Sequence, residues 1–438
     1  MRYYIETFGC QMNKNDSELM ELSMSSEGFV KSESRIEADI LIFNTCSVRN
    51  TAERRATARI REARSHKRKA ILVLAGCMAQ RTGSQYLSKK YADIVVGPYQ
   101  TPIIGRIVKE HIAGSRLQIF TSLDNTDFAP RISTDTIIGN SETPWHAYVT
   151  ITHGCENFCT YCIVPYVRGK LISFSSQSIL EYTKRLVEKG VISITLLGQN
   201  VDQYGQDNGE IPFHALLDSI ASIDGLKRIQ FLTSHPKDFS EDIIKVIRDH
   251  DNISRSIHLP MQSGSDLILK KMNRAYTLQH YKSLVDLIKK HLADEYALSS
   301  DFIVGFPGET DDDFKETLQA VRDIRFSDAF TYAYSPREGT DAFHLSDSIP
   351  QEIKIARLNE LISIQKDITA AYRKGRVGKN DTVIVEQSNS GRDNEFFGKT
   401  LLNYPVLVHG SEIVPGSAID VSITGCQGTT LIGSIMDI

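Results

Sequence analysis

The chain has 438 residues, 41% hydrophobic and 24% charged, with a formal net charge of −4 at pH 7. That balance is ordinary for a globular chain of several domains and argues against a uniformly basic, nucleic-acid-coating protein, while leaving room for local basic patches. The start, MRYYIETFGC, has no basic stretch followed by an apolar one, and no apolar run approaches the ~20 residues that cross a bilayer, so neither secretion nor membrane insertion is expected.

Residues 1–97 read as alternating strand and helix, with strands predicted at 2–7, 39–44 and 69–75 and a helix over 16–26. Such alternation implies a parallel sheet with both faces covered. Residues 98–142 read as a connection. A second series begins near residue 147, with strands predicted at 147–152, 193–197, 228–233, 254–259, 300–304 and 329–334. Helical patterns lie between them, as at 177–189, where serines suit an N-cap and Gly190 is the stop. Six such units make a partial parallel barrel whose functional face is formed by the loops after the strands. After a charged helix over 353–373, short runs at 382–386, 406–408, 418–423 and 430–435 are separated by Gly, Asn and Pro. That is the pattern of a small antiparallel β-barrel. The expected fold class is α/β, in domains 1–140, 141–373 and 374–438.

The cysteines carry the chemistry. Seven of them, in a chain expected to carry no export signal, point to metal or redox use rather than to disulfides. Cys155, Cys159 and Cys162 form a C-x3-C-x2-C run directly after the first predicted barrel strand. Thiolates are soft ligands for iron–sulfur clusters, and three of them on one tight loop can cap three irons of a cubane, leaving the fourth open. A zinc loop completed by His153 is the plainer alternative. Cys10, Cys46 and Cys77 each follow a predicted strand of the first domain, at the sheet edge where ligands of parallel sheets bind. Cys426 falls in the last domain, outside both trios, and reads as a core residue.

The Cys155 run resembles the signature of the radical S-adenosylmethionine superfamily. TFGCQMN, NTCSVR and AGCMAQR around the other trio resemble the methylthiotransferases within it. So, in order, do HGCENFCTYCIVPYVRG, LLGQNVDQYG, HLPMQSGS, DFIVGFPGET and YSPREGT. The resemblance implies a Rossmann-like amino-terminal domain, a (β/α)6 radical S-adenosylmethionine barrel and a TRAM-like carboxyl-terminal barrel. It implies two [4Fe–4S] clusters, an auxiliary one on Cys10, Cys46 and Cys77 and a radical-generating one on Cys155, Cys159 and Cys162, with S-adenosylmethionine on the open iron of the latter. It implies methylthiolation of an adenosine in tRNA, and TFGCQMN is most similar to the branch acting on isopentenyl-adenosine at position 37. Sister branches act on threonylcarbamoyl-adenosine or on a ribosomal-protein aspartate. A non-catalytic RNA-binding metalloprotein, or a radical enzyme using its second cluster as an electron relay, are further readings.

Polar positions at the ends of barrel strands are candidates for holding the cofactor: Gln199, Asn200, Gln262, Ser263 and Asp301, with Ile303 and Phe306 flanking adenine. Arg274 and Arg337 are candidates for a cofactor carboxylate or an RNA phosphate. For RNA, the basic run leaving Cys46 offers Arg49, Arg54, Arg55 and Arg59, and the barrel offers Arg168 and Lys170. The family commonly has an Arg-Pro pair after PYVRG where this chain has Lys170-Leu171. The last domain has an acidic excess, so any RNA contact there rests on shape or on aromatics such as Phe396, Phe397 and Tyr404. Expected partners are the tRNA anticodon stem-loop and an external electron donor, for a cytoplasmic monomer that meets no membrane.

Overall fold

The computed structural model describes residues 1–48, 50–67, 69–123, 143–347, 349–389, 392, 394–411 and 413–436. In the first part, β1 (Arg2–Thr7), α1 (Gln11–Ser26), β2 (Val30–Lys31), β3 (Ile40–Thr45), α2 (Asn50–His66), β4 (Ile71–Gly76), α3 (Cys77–Ser88), β5 (Ile94–Val96), α4 (Ile104–Ile112) and β6 (Ile119–Phe120) follow one another. The strands lie parallel in the order β2-β1-β3-β4-β5-β6. Every residue of β3 is buried, because helices cover both sheet faces and both must then be apolar. Leu41, Phe43, Leu72 and Leu74 pack on one face against Ala56 and Ile60 of α2. Ile40, Ile42 and Val73 pack on the other against Met20 and Met24 of α1 and Ile107 of α4. Residues 98–120 thus belong to this first domain, through α4 on one sheet face and β6 at its edge, rather than to a connection. Its last strands, only three and two residues long, are too short to show a period. The rest of the expected connection, 124–142, lies outside the described residues.

The barrel follows: β7 (His146–Thr150), β8 (Thr152–His153), α5 (Val164–Arg168), β9 (Ile172–Ser173), α6 (Ser176–Glu188), β10 (Ser193–Leu197), α7 (Phe213–Ala221), β11 (Arg228–Phe231), α8 (Glu241–Asp249), β12 (Ser256–His258), α9 (Asp266–Lys271), α10 (Leu278–Leu292), β13 (Ala297–Val304), α11 (Asp311–Ile324), β14 (Asp328–Ala333) and α12 (Gln351–Lys374). Parallel triplets β11-β10-β7 and β12-β13-β14 are joined by a parallel bridge between Ile229 and Ile253. The six predicted strands therefore form one curved half-barrel. Ser175 caps α6 by accepting the Ser178 N–H at 3.4 Å, and Thr310 with Asp313 makes a reciprocal capping box at α11.

The last part holds β15 (Asn380–Ser388), β16 (Glu395–Thr400), β17 (Pro405–His409), β18 (Ala418–Gln427) and β19 (Thr430–Ile435), closed in the order β15-β16-β17-β19-β18. Pairing is antiparallel except between β17 and β19. This barrel sits at the amino ends of the half-barrel strands. Arg228 at the start of β11 pairs with Glu386 at 3.1 Å, and Ser254 bonds the Leu401 carbonyl at 2.5 Å. The opposite end is left to the cysteine loops. Helix α12 docks on the half-barrel through Leu361, which is fully buried. Leu361→Ala is expected to cost about 2–5 kcal/mol, read as a lower denaturant midpoint with unchanged circular dichroism at zero denaturant.

Candidate active site

The first cysteine trio gathers at the carboxyl edge of the first sheet. Cys10 is the N-cap of α1, Cys46 follows β3 and Cys77 opens α3. Two of the three thus sit at helix amino termini, where the backbone N–H groups and the helix dipole favour negative sulfur. Helix α1 begins five residues before the predicted start at 16, and its first turn is held by a side-chain network. The Cys10 thiol donates to Asn13 Oδ1 at 3.4 Å, and Asn13 Nδ2 donates to Asn44 Oδ1 and the Thr45 carbonyl, both at 3.1 Å. Asn44 Nδ2 returns a bond to the Asn13 carbonyl at 2.7 Å. A Cβ at Gly9, whose φ is +128°, would lie 2.6 Å from the Cys46 Cβ, so only glycine lets the two loops meet.

The second trio occupies the loop after β8. Gly154 starts it with φ +77°, and a Cβ there would lie 1.8 Å from the Lys170 carbonyl. The Cys155 N–H donates to the Gly169 carbonyl at 3.1 Å, and the Gly154 N–H donates to Gln199 Oε1. From the other side, Asn273 Nδ2 bonds the Phe158 carbonyl at 2.9 Å and Arg274 Nη1 donates to Cys159 Sγ at 3.3 Å. Burial pushes the Cys155 thiol up to about 11 and the Cys162 thiol up to about 12. Among the described residues no three His, Cys, Asp or Glu side chains converge as they would on a single ion. Three thiolates on three separate irons of a cubane need not converge on one point.

Both trios face one another across a buried junction. Arg168, at the end of α5, donates through Nε to Cys77 Sγ at 3.3 Å and through Nη2 to Asp16 Oδ2 at 2.5 Å. Burial disfavours the Arg168 charge, but Asp16 and the Cys77 thiol outweigh it and hold the guanidinium protonated. Arg337, in the loop after β14, bonds the Ser47 carbonyl, the Val48 carbonyl at 3.0 Å and Asn50 Oδ1 at 2.7 Å. Thr150 at the end of β7 donates to Asn15 Oδ1 at 2.7 Å.

Several expectations change here. Arg168 is 3% exposed and committed to Asp16 and Cys77, so it is not an RNA contact. Arg337 clamps the Cys46 loop and reaches the Glu53 carboxylate at 3.4 Å, so its fork is not offered to a cofactor carboxylate or an RNA phosphate. Arg274 is buried, with its nitrogens on Cys159, Tyr276 and the Pro260 carbonyl. Ser263 and Phe306 are fully buried. Ser263 meets the Thr317 hydroxyl, and Phe306 packs on Tyr334, which leaves neither a ligand-facing surface. Tyr404 lies under Arg373, 4.0 Å from its ring centre, and is buried rather than available for stacking. Cys426 is exposed on β18, not in a core.

Other candidates line the carboxyl ends of the barrel strands, Asn200 and Gln262 buried there and Asp301 and Ile303 half-buried. Gln262 N–H bonds the Asp301 carbonyl at 2.8 Å and its carbonyl accepts the Ile303 N–H at 3.0 Å, which locks the three together beside β13. Gln262 Oε1 and Asn200 Oδ1 are buried without a partner among the described residues. Left so, each costs about 1–3 kcal/mol, so a ligand with ammonium or hydroxyl donors fits them. Arg54, Arg55, Arg59 and Lys170 are exposed, and Arg59 is shared with Glu6 and Glu62. Arg49 lies outside the described residues. Asp16, Asn13 and Asn44 were missed as site residues.

The radical SAM superfamily pattern matches residues 149–321, and residues 2–97 match the uncharacterized protein family UPF0004. The tRNA-2-methylthio-N(6)-dimethylallyladenosine synthase of Clostridium botulinum (strain Okra / Type B1) is 39% identical over 442 residues, spanning 98% of this chain and 96% of its own. The chain belongs to the tRNA-2-methylthio-N(6)-dimethylallyladenosine synthase family. A Treponema denticola synthase of the same name is 40% identical over 454 residues, spanning 98% and 99%. In fold, the chain resembles the radical S-adenosylmethionine methyltransferase TsrM of Kitasatospora setae, with a TM-score of 0.57 at 12% identity over 78% of this chain and 77% of that one.

The raised thiols of this family member make a pH prediction for the cluster-free protein. A folded-state pKa above the ordinary value of 9.0 stabilises the fold below that value and loses the contribution as pH rises through about 11 for Cys155 and about 12 for Cys162. Thermal melts of the cluster-free protein under reductant should therefore fall with pH across that window. A Cys155→Ala, Cys162→Ala variant should fall less steeply.

Proposed function

We propose that this chain converts isopentenyl-adenosine at position 37 of tRNA to its 2-methylthio derivative, using two [4Fe–4S] clusters and S-adenosylmethionine. The observation that carries the reading is the pair of cysteine trios, each one ligand short of a closed cluster, set at the carboxyl ends of two parallel sheets that meet at Arg168. When bound, these groups supply the radical that removes hydrogen from adenine carbon 2 and the methylated sulfur that replaces it. Cys10, Cys46 and Cys77 would hold the auxiliary cluster, and Cys155, Cys159 and Cys162 the radical-generating one. Gln199 fixes the loop that carries Cys155. Asn200, Gln262 and Asp301 present acceptors to the amino group and ribose hydroxyls of the cofactor, with Ile303 beside its adenine. Arg274, donating to Cys159, places a positive group beside that ligand in a water-poor site.

In this reading residues 1–140 carry the sulfur, 141–373 the cofactor, and 374–438 add contact to RNA through the half-buried Phe396 and Phe397. The anticodon loop base is splayed out so that its edge reaches between the two trios. Arg54, Arg55, Arg59 and Lys170 hold the phosphates. The protein works as a cytoplasmic monomer with an external electron donor.

The test is anaerobic reconstitution of wild type, Cys155→Ala and Cys77→Ala with S-adenosylmethionine, reductant and tRNA bearing either isopentenyl- or threonylcarbamoyl-adenosine, followed by nucleoside mass spectrometry. Wild type should give the methylthio product from the isopentenyl tRNA alone. Cys155→Ala should neither cleave cofactor nor form product, and Cys77→Ala should cleave cofactor without product. Product from the threonylcarbamoyl tRNA alone would move the substrate to that branch. Replacing Arg54 and Arg55 together by Glu should weaken tRNA binding on every sequence. It should also lower the slope of log affinity against log salt by about 2, one for each phosphate no longer neutralised, as measured by filter binding.

A further inference from the structure

Helix α5 is five residues long and joins the two trios physically. It starts two positions after Cys162 and ends on Arg168, while Cys77 of the first sheet packs on Ile163 and Val167 along it. The Arg168 backbone is held as well, since its carbonyl accepts the Tyr99 hydroxyl at 3.1 Å. Each trio has one buried arginine donating to one cysteine sulfur, and both contacts are 3.3 Å. Their surroundings differ. Arg274 spends its remaining nitrogens on the Tyr276 hydroxyl and the Pro260 carbonyl, and no carboxylate touches it among the described residues. Arg168 is paired with the carboxylate of Asp16, and its Nη1 is buried without a partner among the described residues. A buried guanidinium N–H left without an acceptor is costly, and no second carboxylate or carbonyl of those residues is bonded to it.

We propose that Arg168 is a positioning residue for the auxiliary cluster. It donates through Nε to the Cys77 thiolate and through Nη1 to a second anionic sulfur on that cluster, so that Arg168 and Asp16 together set the cluster's reduction potential. The inference rests on the two-cluster reading above. A positive group that hydrogen-bonds cluster sulfur stabilises the reduced, more negative state and raises the potential. A carboxylate behind it partly cancels that effect. The two residues therefore act with opposite sign on one quantity, which a purely structural role for the pair would not do.

The experiment is an EPR-monitored redox titration of full-length, anaerobically reconstituted wild type, Arg168→Gln, Arg168→Lys and Asp16→Asn, with iron and sulfide quantified for each. Cys77→Ala identifies which signal belongs to the auxiliary cluster. Arg168→Gln should shift the auxiliary midpoint down, Asp16→Asn should shift it up, and the midpoint of the Cys155–Cys159–Cys162 cluster should not move. Arg168→Lys, which keeps the charge, should retain the auxiliary cluster with a smaller shift than Arg168→Gln. Should Arg168→Gln lose that cluster, Asp16→Asn decides alone, because it keeps both the guanidinium and its bond to Cys77. Shifts of the same sign, no shift in loaded variants, or loss of the auxiliary cluster from Arg168→Lys would overturn the inference. Wild-type iron matching a single cluster would instead remove the two-cluster reading, before any variant is compared.

Discussion

The buried ion pair between Arg168 and Asp16 is the contact on which the arrangement of this molecule turns. One partner comes from the half-barrel and the other from the first sheet, and both are almost fully enclosed. Such a pair adds little net stability, because removing two charges from water costs about as much as their attraction returns. Removing either partner alone is another matter, since it strands a charge in a dry site at a cost of about 3–5 kcal/mol. The pair therefore specifies how the two sheets meet more than how tightly. Arg337 on the Cys46 loop and Thr150 on Asn15 repeat the same join from both sides. All three contacts lie past the carboxyl ends of parallel strands, the end at which both domains present their cysteines.

That placement also settles the local electrostatics. The desolvation that raises the Cys155 and Cys162 thiols would oppose thiolates in an empty protein. Arg274 and Arg168 supply the compensating positive charge at one cysteine of each trio, and α1 and α3 add helix termini at Cys10 and Cys77. The site is thus built for anionic sulfur in a water-poor interior.

Much of this was legible in the chain, and the reason is local. Residues 193–197 form a continuous apolar-rich run because a central parallel strand is covered on both sides, and β10 occupies those five positions. The cysteine spacing was readable because a cluster loop needs its ligands close in sequence. β16 was missed because Gly398 and Lys399 interrupt its apolar character. The pairing of Arg168 with Asp16 is illegible for a different reason. They are 152 positions apart, and nothing near either one says that its charge is buried. An arginine two residues before Lys170 looks like an RNA contact until its partner is placed beside it.

A half-barrel, unlike a closed one, has two outer strands whose backbone donors and acceptors are free on one side. Here those strands are β7 and β14, and neither is left bare. Helix α1 of the first sheet packs along β7, and α12 lies along β14, with Gln365 bonding the Phe326 carbonyl at 2.7 Å and Arg373 reaching Asp328 at 3.6 Å. The first domain thereby guards the β7 edge, while α12 guards β14 from within the half-barrel's own segment. Cut away from the first domain, the central segment would keep α12 over β14 but offer the β7 edge to other copies of itself, the usual template for sheet-to-sheet aggregation. The half-barrel depends on the first sheet to cover one strand edge as well as to complete the site between them.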